Sequence, residues 1–313
     1  MNGAPLPVSV VIPVYNSAPV LPELIDRLGA VLAPTVEGFE VILVNDGSRD
    51  GSWGAIQGLA ARLPWVTGID LMRNYGQHNA LLCGIRAARG ELTVTLDDDL
   101  QHRPEDIPAL LALLDPETDV VYGTPEEERH GLLRDAASRL TKLALERTMG
   151  AGTARMVSSF RVFRTRLRDA FTGAHGGIPL DVLLTWGTTR FRALPVRHEV
   201  RKVGASNYTF RKLVRHALNM ITGFSVLPLR LASLLALLFT LFGFAALVWV
   251  VGRTLLQGIA VPGFAMIASL VSILSGVQLL SLGILGEYVA RIHLRLMDSP
   301  PYAVRATVNR HDG

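Results

Sequence analysis

The chain has 313 residues, 49% of them hydrophobic, with 31 Lys plus Arg against 27 Asp plus Glu and a formal net charge of +4. A single core stops growing near about 250–300 residues, so this length asks for one sizeable domain and something more. The charge is too mild to argue for nucleic acid as a partner, and a mean hydropathy of +0.32, with the apolar excess gathered in the last third, points to a membrane.

The opening "MNGAPLPVSVVIPVYN" has no basic segment leading into a long apolar one, so no signal peptide is expected. Within it, Val8 to Asn16 is a short apolar run rich in β-branched residues, which predicts a buried strand. "APVLPELIDRLGAVL" then carries Leu21, Leu24, Ile25 and Leu28 at helical spacing. The pattern repeats: a strand from Phe39 to Val44 with a polar Gly-rich turn, a helix at "WGAIQGLAARL", a strand at "VTGIDL", a helix at "HNALLCGIRAARG" and a strand at "LTVTL". Such alternation predicts a mostly parallel sheet covered on both faces. The single Cys83 excludes an internal disulfide and fits a reducing compartment.

Ligands of such sheets bind beyond the carboxyl ends of the strands. "PVYN", "NDGSRDGS" and "DDDLQ" follow the first, second and fourth predicted strands, so one crevice should hold Asp46, Asp97 and Asp99. The consecutive carboxylates Asp97, Asp98 and Asp99 repel one another and ask for a positive partner. A hard cation such as Mg2+ or Mn2+ takes oxygen ligands, commonly one or two carboxylates plus substrate phosphates, so the cluster reads as a metal seat for a diphosphate. If strand geometry continues through the triple, Asp97, Asp99 and Gln101 share one side and Asp98 faces the other. His102, before "RPED", reads as a surface or capping residue.

Residues 231–252 contain no charge and are long enough, as a helix, to cross a hydrocarbon core of about 30 Å. A second uncharged run spans 259–286, and the short connection between them predicts a two-helix hairpin. Arg201, Lys202, Arg211, Lys212, Arg215 and Arg230 precede the hairpin, Arg291 and Arg295 follow it, and only Arg253 lies between, which predicts cytoplasmic termini. "YTFRKLVRHALNMITGFSVLPLRL" alternates basic and apolar residues as an interfacial amphipathic helix does. Ser272 and Gly276, with Gly283 and Gly286 beyond, predict close helix packing, within the hairpin or between subunits.

The ordered motifs "VVIPVYN", "VILVNDGSRDGS", "RNYGQHNALLCGI", "LDDDLQHRPEDIP", "VVYGT", "VSSFRVF", "VRKVGASNY" and "ILGEYVARI" run through nearly the whole chain. Together they resemble an inverting family 2 glycosyltransferase of the GT-A fold, in the polyprenyl-phosphate branch with dolichol-phosphate mannose synthase and the undecaprenyl-phosphate sugar transferases. The resemblance implies a Rossmann-like, mostly parallel α/β catalytic domain over 1–207, a juxtamembrane segment over 208–228, two transmembrane helices within 229–290 (about 231–252 and 262–288) and a cytoplasmic tail over 291–313. It implies Mg2+ or Mn2+ held by Asp97, Asp99 and Gln101, with Asp97 and Asp98 also at the donor. Pro13, Tyr15, Asn16, Asp46, Gly47 and Arg73 would meet the nucleotide, and Arg129, Arg134, Arg201 and Ser206 the acceptor phosphate. Ser17 and Asn207 stand where many relatives carry Glu and Lys.

The reaction so implied is transfer of one sugar from a nucleotide-sugar, a UDP-sugar by resemblance, to a polyprenyl phosphate such as undecaprenyl phosphate. It would take place at the cytoplasmic face of the inner membrane, in a dimer or tetramer, and serve cell-envelope glycan modification. Near neutral pH such a phosphate is largely ionised, its second pKa being about 6. Its oxygen can therefore attack the anomeric carbon without a strong base, leaving Asp97, Asp98, Asp99 and Arg201 to position and neutralise charge. The rivals are a processive or protein-directed glycosyltransferase and an inactive membrane adaptor. The absence of "QxxRW", a signature of processive synthases, favours transfer of a single sugar.

Overall fold

The computed structural model describes residues 7–125, 156–172, 178–197, 199, 227–257, 263–296 and 300–309. Strand and helix alternate from the start: β1 (Val8–Val14), α1 (Leu21–Leu32), β2 (Phe39–Asn45), α2 (Ser52–Arg62), β3 (Val66–Leu71), α3 (Gln77–Ala87) and β4 (Leu92–Thr95). A short 3-10 turn then leads into α4 (Ile107–Ala112), followed by β5 (Val120–Pro125), β6 (Arg161–Arg164), α5 (Leu180–Gly187) and β7 (Phe191–Val196). Two long helices, α6 (Leu227–Gln257) and α7 (Phe264–Leu296), precede a last strand, β8 (Val304–Val308).

The strands form one eight-stranded sheet in the order β7-β5-β6-β4-β1-β2-β3-β8. Its centre, β4-β1-β2-β3, is parallel, while β6 runs antiparallel between β4 and β5, and β8 runs antiparallel along β3. Every residue of β1 is buried, because alternate side chains enter two different cores. Val8, Val10, Ile12 and Val14 pack with Leu21, Leu24, Ile25 and Leu28 of α1, whereas Val11 packs with Ile42 and Val44 beneath α3. A strand buried on both faces has no reason to alternate polar and apolar residues, which is why these strands read as continuous apolar runs. At Gly84 of α3, an added Cβ would stand 2.3 Å from Val11 Cγ1 and 3.1 Å from Val44 Cγ2, so the helix lies as close to the sheet as a bare backbone permits.

The segment read from sequence as a tail over 291–313 divides in two. Helix α7 continues to Leu296, and Val304–Val308 returns to the sheet as β8, with Gly68 opposite Val308 and Ile69 opposite Thr307. Two compact units result: the α/β unit, which includes β8, and a helical unit of α6 and α7, which pack on each other. Among the described residues, Ile273–Ala290 is long and apolar enough to cross a membrane, and Leu231–Ala245 is a shorter apolar stretch.

Candidate active site

The carboxyl ends of β1, β2, β3 and β4 open on one side of the sheet, as parallel pairing requires. Between their loops lies a cleft of about 490 Å³. Pro13, Val14 and Tyr15 enter it from β1, Asp46 from the loop after β2, and Asp97, Asp98 and Asp99 from the turn after β4. The β3–α3 loop and the start of α3 add Asn74, Gly76 and Gln77.

Each loop is held by its own polar residues. The main-chain N–H groups of Asn16, Ser17 and Ala18 donate to Ser48 Oγ (3.0 Å), Ser52 Oγ (2.9 Å) and Asp50 Oδ2 (3.2 Å), and Asn16 Oδ1 accepts from the Arg49 N–H (2.8 Å). These bonds sew "PVYNS" to "DGSRDGS" and explain why Asn, Ser and Asp crowd both stretches. Asp46 is buried, yet its two oxygens accept the N–H groups of Tyr75 (2.7 Å) and Gly76 (2.9 Å). Burial raises its pKa above the ordinary value, and the two N–H donors oppose that rise. Gly47, at φ +63°, passes so close to the next loop that a Cβ would sit 2.5 Å from both Arg73 C and Asn74 N.

The acidic turn departs from the strand alternation expected of it. Strand β4 ends at Thr95, the chain turns through Leu100 at φ +59°, and Asp97, Asp98 and Asp99 all line the cleft. Leu100 is buried, so its apolar side chain anchors the unusual backbone that lets three neighbouring acids face one space. Asp97 accepts from Gln77 Nε2 (2.6 Å) on one oxygen and Ser159 Oγ (2.7 Å) on the other. Asp98 accepts the Tyr15 N–H (3.0 Å), and Asp99 accepts the Gln101 N–H (3.1 Å). Burial pushes the Asp98 carboxyl up to about 6; hydrogen bonds from Ser17 and Tyr15 oppose this, and the charges of Asp97 and Asp99 reinforce it.

Among the expected donor and metal residues, Pro13, Tyr15, Asp46, Asp97, Asp98 and Asp99 come together in the cleft, while Asn16, Gly47, Arg73 and Gln101 flank it. Arg73 lies over the Tyr75 ring at 4.7 Å, and the Gln101 carbonyl accepts the Glu199 N–H at 2.9 Å. Arg129, Arg134, Arg201 and Ser206 lie outside the described residues. His102 is buried rather than superficial: its Nε2 is 3.1 Å from Ser159 Oγ, and its ring packs on Phe160. Position in sequence hid this, because Ser159 reaches Asp97 only through the antiparallel strand β6 that follows it. Gln77 and Asn74 were likewise visible as the motif "RNYGQHN" but gave no signal of their own.

Among the described residues no three His, Cys, Asp or Glu converge as a protein cage for a metal. The Asp97 and Asp99 carboxylates lining the cleft nonetheless suit a hard cation that draws its remaining ligands from water and a diphosphate.

The model for "Glycosyl transferase family 2" matches residues 9–171. The chain belongs to this family. The glycosyltransferase is 33% identical, over 97% of its length and 94% of the relative's, to undecaprenyl-phosphate 4-deoxy-4-formamido-L-arabinose transferase of Sodalis glossinidius. The same-named protein of Klebsiella pneumoniae is 34% identical over the same shares. Among solved structures, glucosyl-3-phosphoglycerate synthase of Mycobacterium tuberculosis, in complex with Mn2+, UDP and phosphoglyceric acid, superposes with a TM-score of 0.50 at 18% identity, covering 69% of this chain and 76% of that one. That likeness supports the fold, a mostly parallel α/β sheet of GT-A type.

Proposed function

We propose that this glycosyltransferase transfers a single sugar, with inversion, from a UDP-sugar to undecaprenyl phosphate at the cytoplasmic face of the membrane. The observation that carries the reading is the convergence of Asp97, Asp98 and Asp99 with Pro13, Tyr15 and Asp46 in one cleft. Its 490 Å³ lies in the range of about 300–1,000 Å³ common for small-ligand sites. The end-to-end similarity to undecaprenyl-phosphate transferases supports the acceptor.

In this reading Pro13, Tyr15 and Asp46 hold the nucleotide, with Asn16, Gly47 and Arg73 supporting their loops. Asp97 and Asp99, with Gln101 beside them, hold Mg2+ or Mn2+ against the diphosphate. The cation, when bound, neutralises the charge that develops on the leaving nucleoside diphosphate. Gln77 and Ser159 fix the orientation of Asp97 by occupying an oxygen each. Asp98, bonded to the Tyr15 main chain, links the acidic turn to the nucleotide wall. Arg129, Arg134, Arg201 and Ser206 would receive the acceptor phosphate, whose own charge makes it the nucleophile.

The membrane part of the reading assigns α6 and α7 as two spans. Its support is that both helices are apolar around their circumference, with Leu256 and Leu279 at 87% and 69% exposure where water would penalise them. Strand β8 gives an independent argument against a single crossing. A chain that leaves the α/β unit and re-enters the same sheet must cross the membrane an even number of times. A homo-oligomer, dimer or tetramer, is supported by Gly276, Gly283 and Gly286, which have no described atom within 4 Å of where a Cβ would stand. Their small size serves no contact among the described residues, and small-residue faces suit packing against another helix.

The test is lipid-linked sugar formation by the purified full-length enzyme with undecaprenyl phosphate, Mn2+ or Mg2+, and labelled UDP- and GDP-sugars, including a 4-deoxy-4-formamido-L-arabinose donor. One donor should give a labelled lipid, with loss of at least about 100-fold in Asp99→Ala and in chelator. Polymer or glycoprotein as the product would replace the reading with a processive or protein-directed transferase.

A further inference from the structure

Strand β8 does more than cover an edge. Arg305 lies at the register irregularity opposite Asp70 and Leu71. Its guanidinium donates to the Met72 carbonyl (2.6 Å) and stands 3.5 Å from Asp70 Oδ2. Asp70 is a buried carboxylate, only 3% exposed, and Arg305 is its cation among the described residues. A buried carboxylate needs such a partner, because removing the partner leaves the charge uncompensated.

From Asp70 and Met72 two connections lead to the cleft. Asp70 Oδ1 accepts from Asn45 Nδ2 (2.7 Å), and Asn45 Oδ1 receives the Ser48 N–H (3.4 Å). Ser48 Oγ in turn accepts the Asn16 N–H (3.0 Å), so the relay ends in the loops that flank Asp46 and Tyr15. The second connection is shorter. Met72 begins the loop that supplies Asn74, Gly76 and Gln77, and it is pinned by Arg305 through its carbonyl and by Ala303 through its N–H (2.9 Å). At the far end of β3, Asn309 Nδ2 donates to the carbonyls of Leu63, Pro64 and Val66 and so fixes the strand's beginning.

We propose that Arg305 is a positioning residue of the donor-nucleotide site, so that the segment following the second long helix completes the support of a cleft built from the first hundred residues. The inference rests on the donor-site reading above. It assigns the C-terminal strand a part in nucleotide binding without contact to the nucleotide.

The experiment uses the full-length protein in nanodiscs with Arg305→Ala, Arg305→Lys, Asp70→Asn and the Asp70→Asn/Arg305→Ala pair. Two readouts are taken: calorimetric binding of UDP with Mn2+, and hydrogen exchange of the peptides covering 45–50 and 72–77. Arg305→Ala should weaken UDP about tenfold, speed exchange in both peptides, and leave the KM for undecaprenyl phosphate within about twofold. Arg305→Lys should recover part of the binding, since an ammonium reaches one of the two acceptors but not both. The pair should recover most of it, because no buried charge is left unpaired. Unchanged exchange and UDP affinity in Arg305→Ala would overturn the inference. So would a uniform loss of folding, UDP binding and acceptor binding that Asp70→Asn does not rescue. Failure of the wild-type protein to bind any nucleotide would instead overturn the donor reading on which the inference stands.

Discussion

Asp98 shows how one carboxyl can be tuned by a turn. In cation-free protein its pKa is about 6, against an ordinary 3.8, with burial as the main cause. Between these values the folded chain binds a proton that the unfolded chain has released. Stability from this group is therefore present at low pH and lost as pH rises toward 6. The Asp98→Asn variant has no such loss. Its melting temperature in chelator should gain on the wild type from pH 4 to pH 6 and hold a constant difference above it. Adding Mn2+ should shrink the difference, because a nearby cation stabilises the ionised form. At this scale the sequence alone shows Asp97, Asp98 and Asp99 as a cluster. It did not give their common orientation, which depends on a left-handed Leu100, nor Ser159 and His102, whose approach depends on a strand pairing 60-odd residues away.

The elements themselves were legible because each carries its own signal. Apolar β-branched runs, Gly-rich turns and helical spacing fall in chain order, and all four parallel strands and three helices up to Thr95 match them. Strand β8 carried no such signal, being short and placed beyond the apolar helices. Gly84 shows what an element's packing adds. Gly84→Ala would gain about 1 kcal/mol of helix propensity. The new Cβ would also stand 2.3 Å from Val11 Cγ1 and force α3 off the sheet, a cost of about 1–3 kcal/mol. The packing term wins: the variant should unfold at lower denaturant with an unchanged slope, and without a new defect in acceptor binding.

For the whole molecule, the two-crossing reading makes an accessibility prediction. Cys83, the only cysteine, is buried, and burial pushes its thiol up to about 12, so it stays silent toward maleimides at pH 7. Against this background, Gln257→Cys at the end of α6 should be labelled by an impermeant maleimide from the periplasmic side of intact cells. Glu117→Cys, exposed on the α/β unit, should be labelled only after the membrane is opened. Labelling of Glu117→Cys alone from outside would reverse the topology. Labelling of neither, with both reactive in opened cells, would place α6 and α7 on the membrane rather than through it.

Sequence by itself determined the class of the chain: an alternating α/β domain, acids at strand ends, and apolar helices after it. These are local properties, written in spacing and composition within stretches of ten to thirty residues. Tertiary structure alone decided which residues share the cleft and how they are held. The bonds of Gln77 and Ser159 to Asp97, and of Arg305 to Asp70, join positions 20, 62 and 235 residues apart. No local pattern can encode such contacts, because each exists only once the sheet has brought its strands into register.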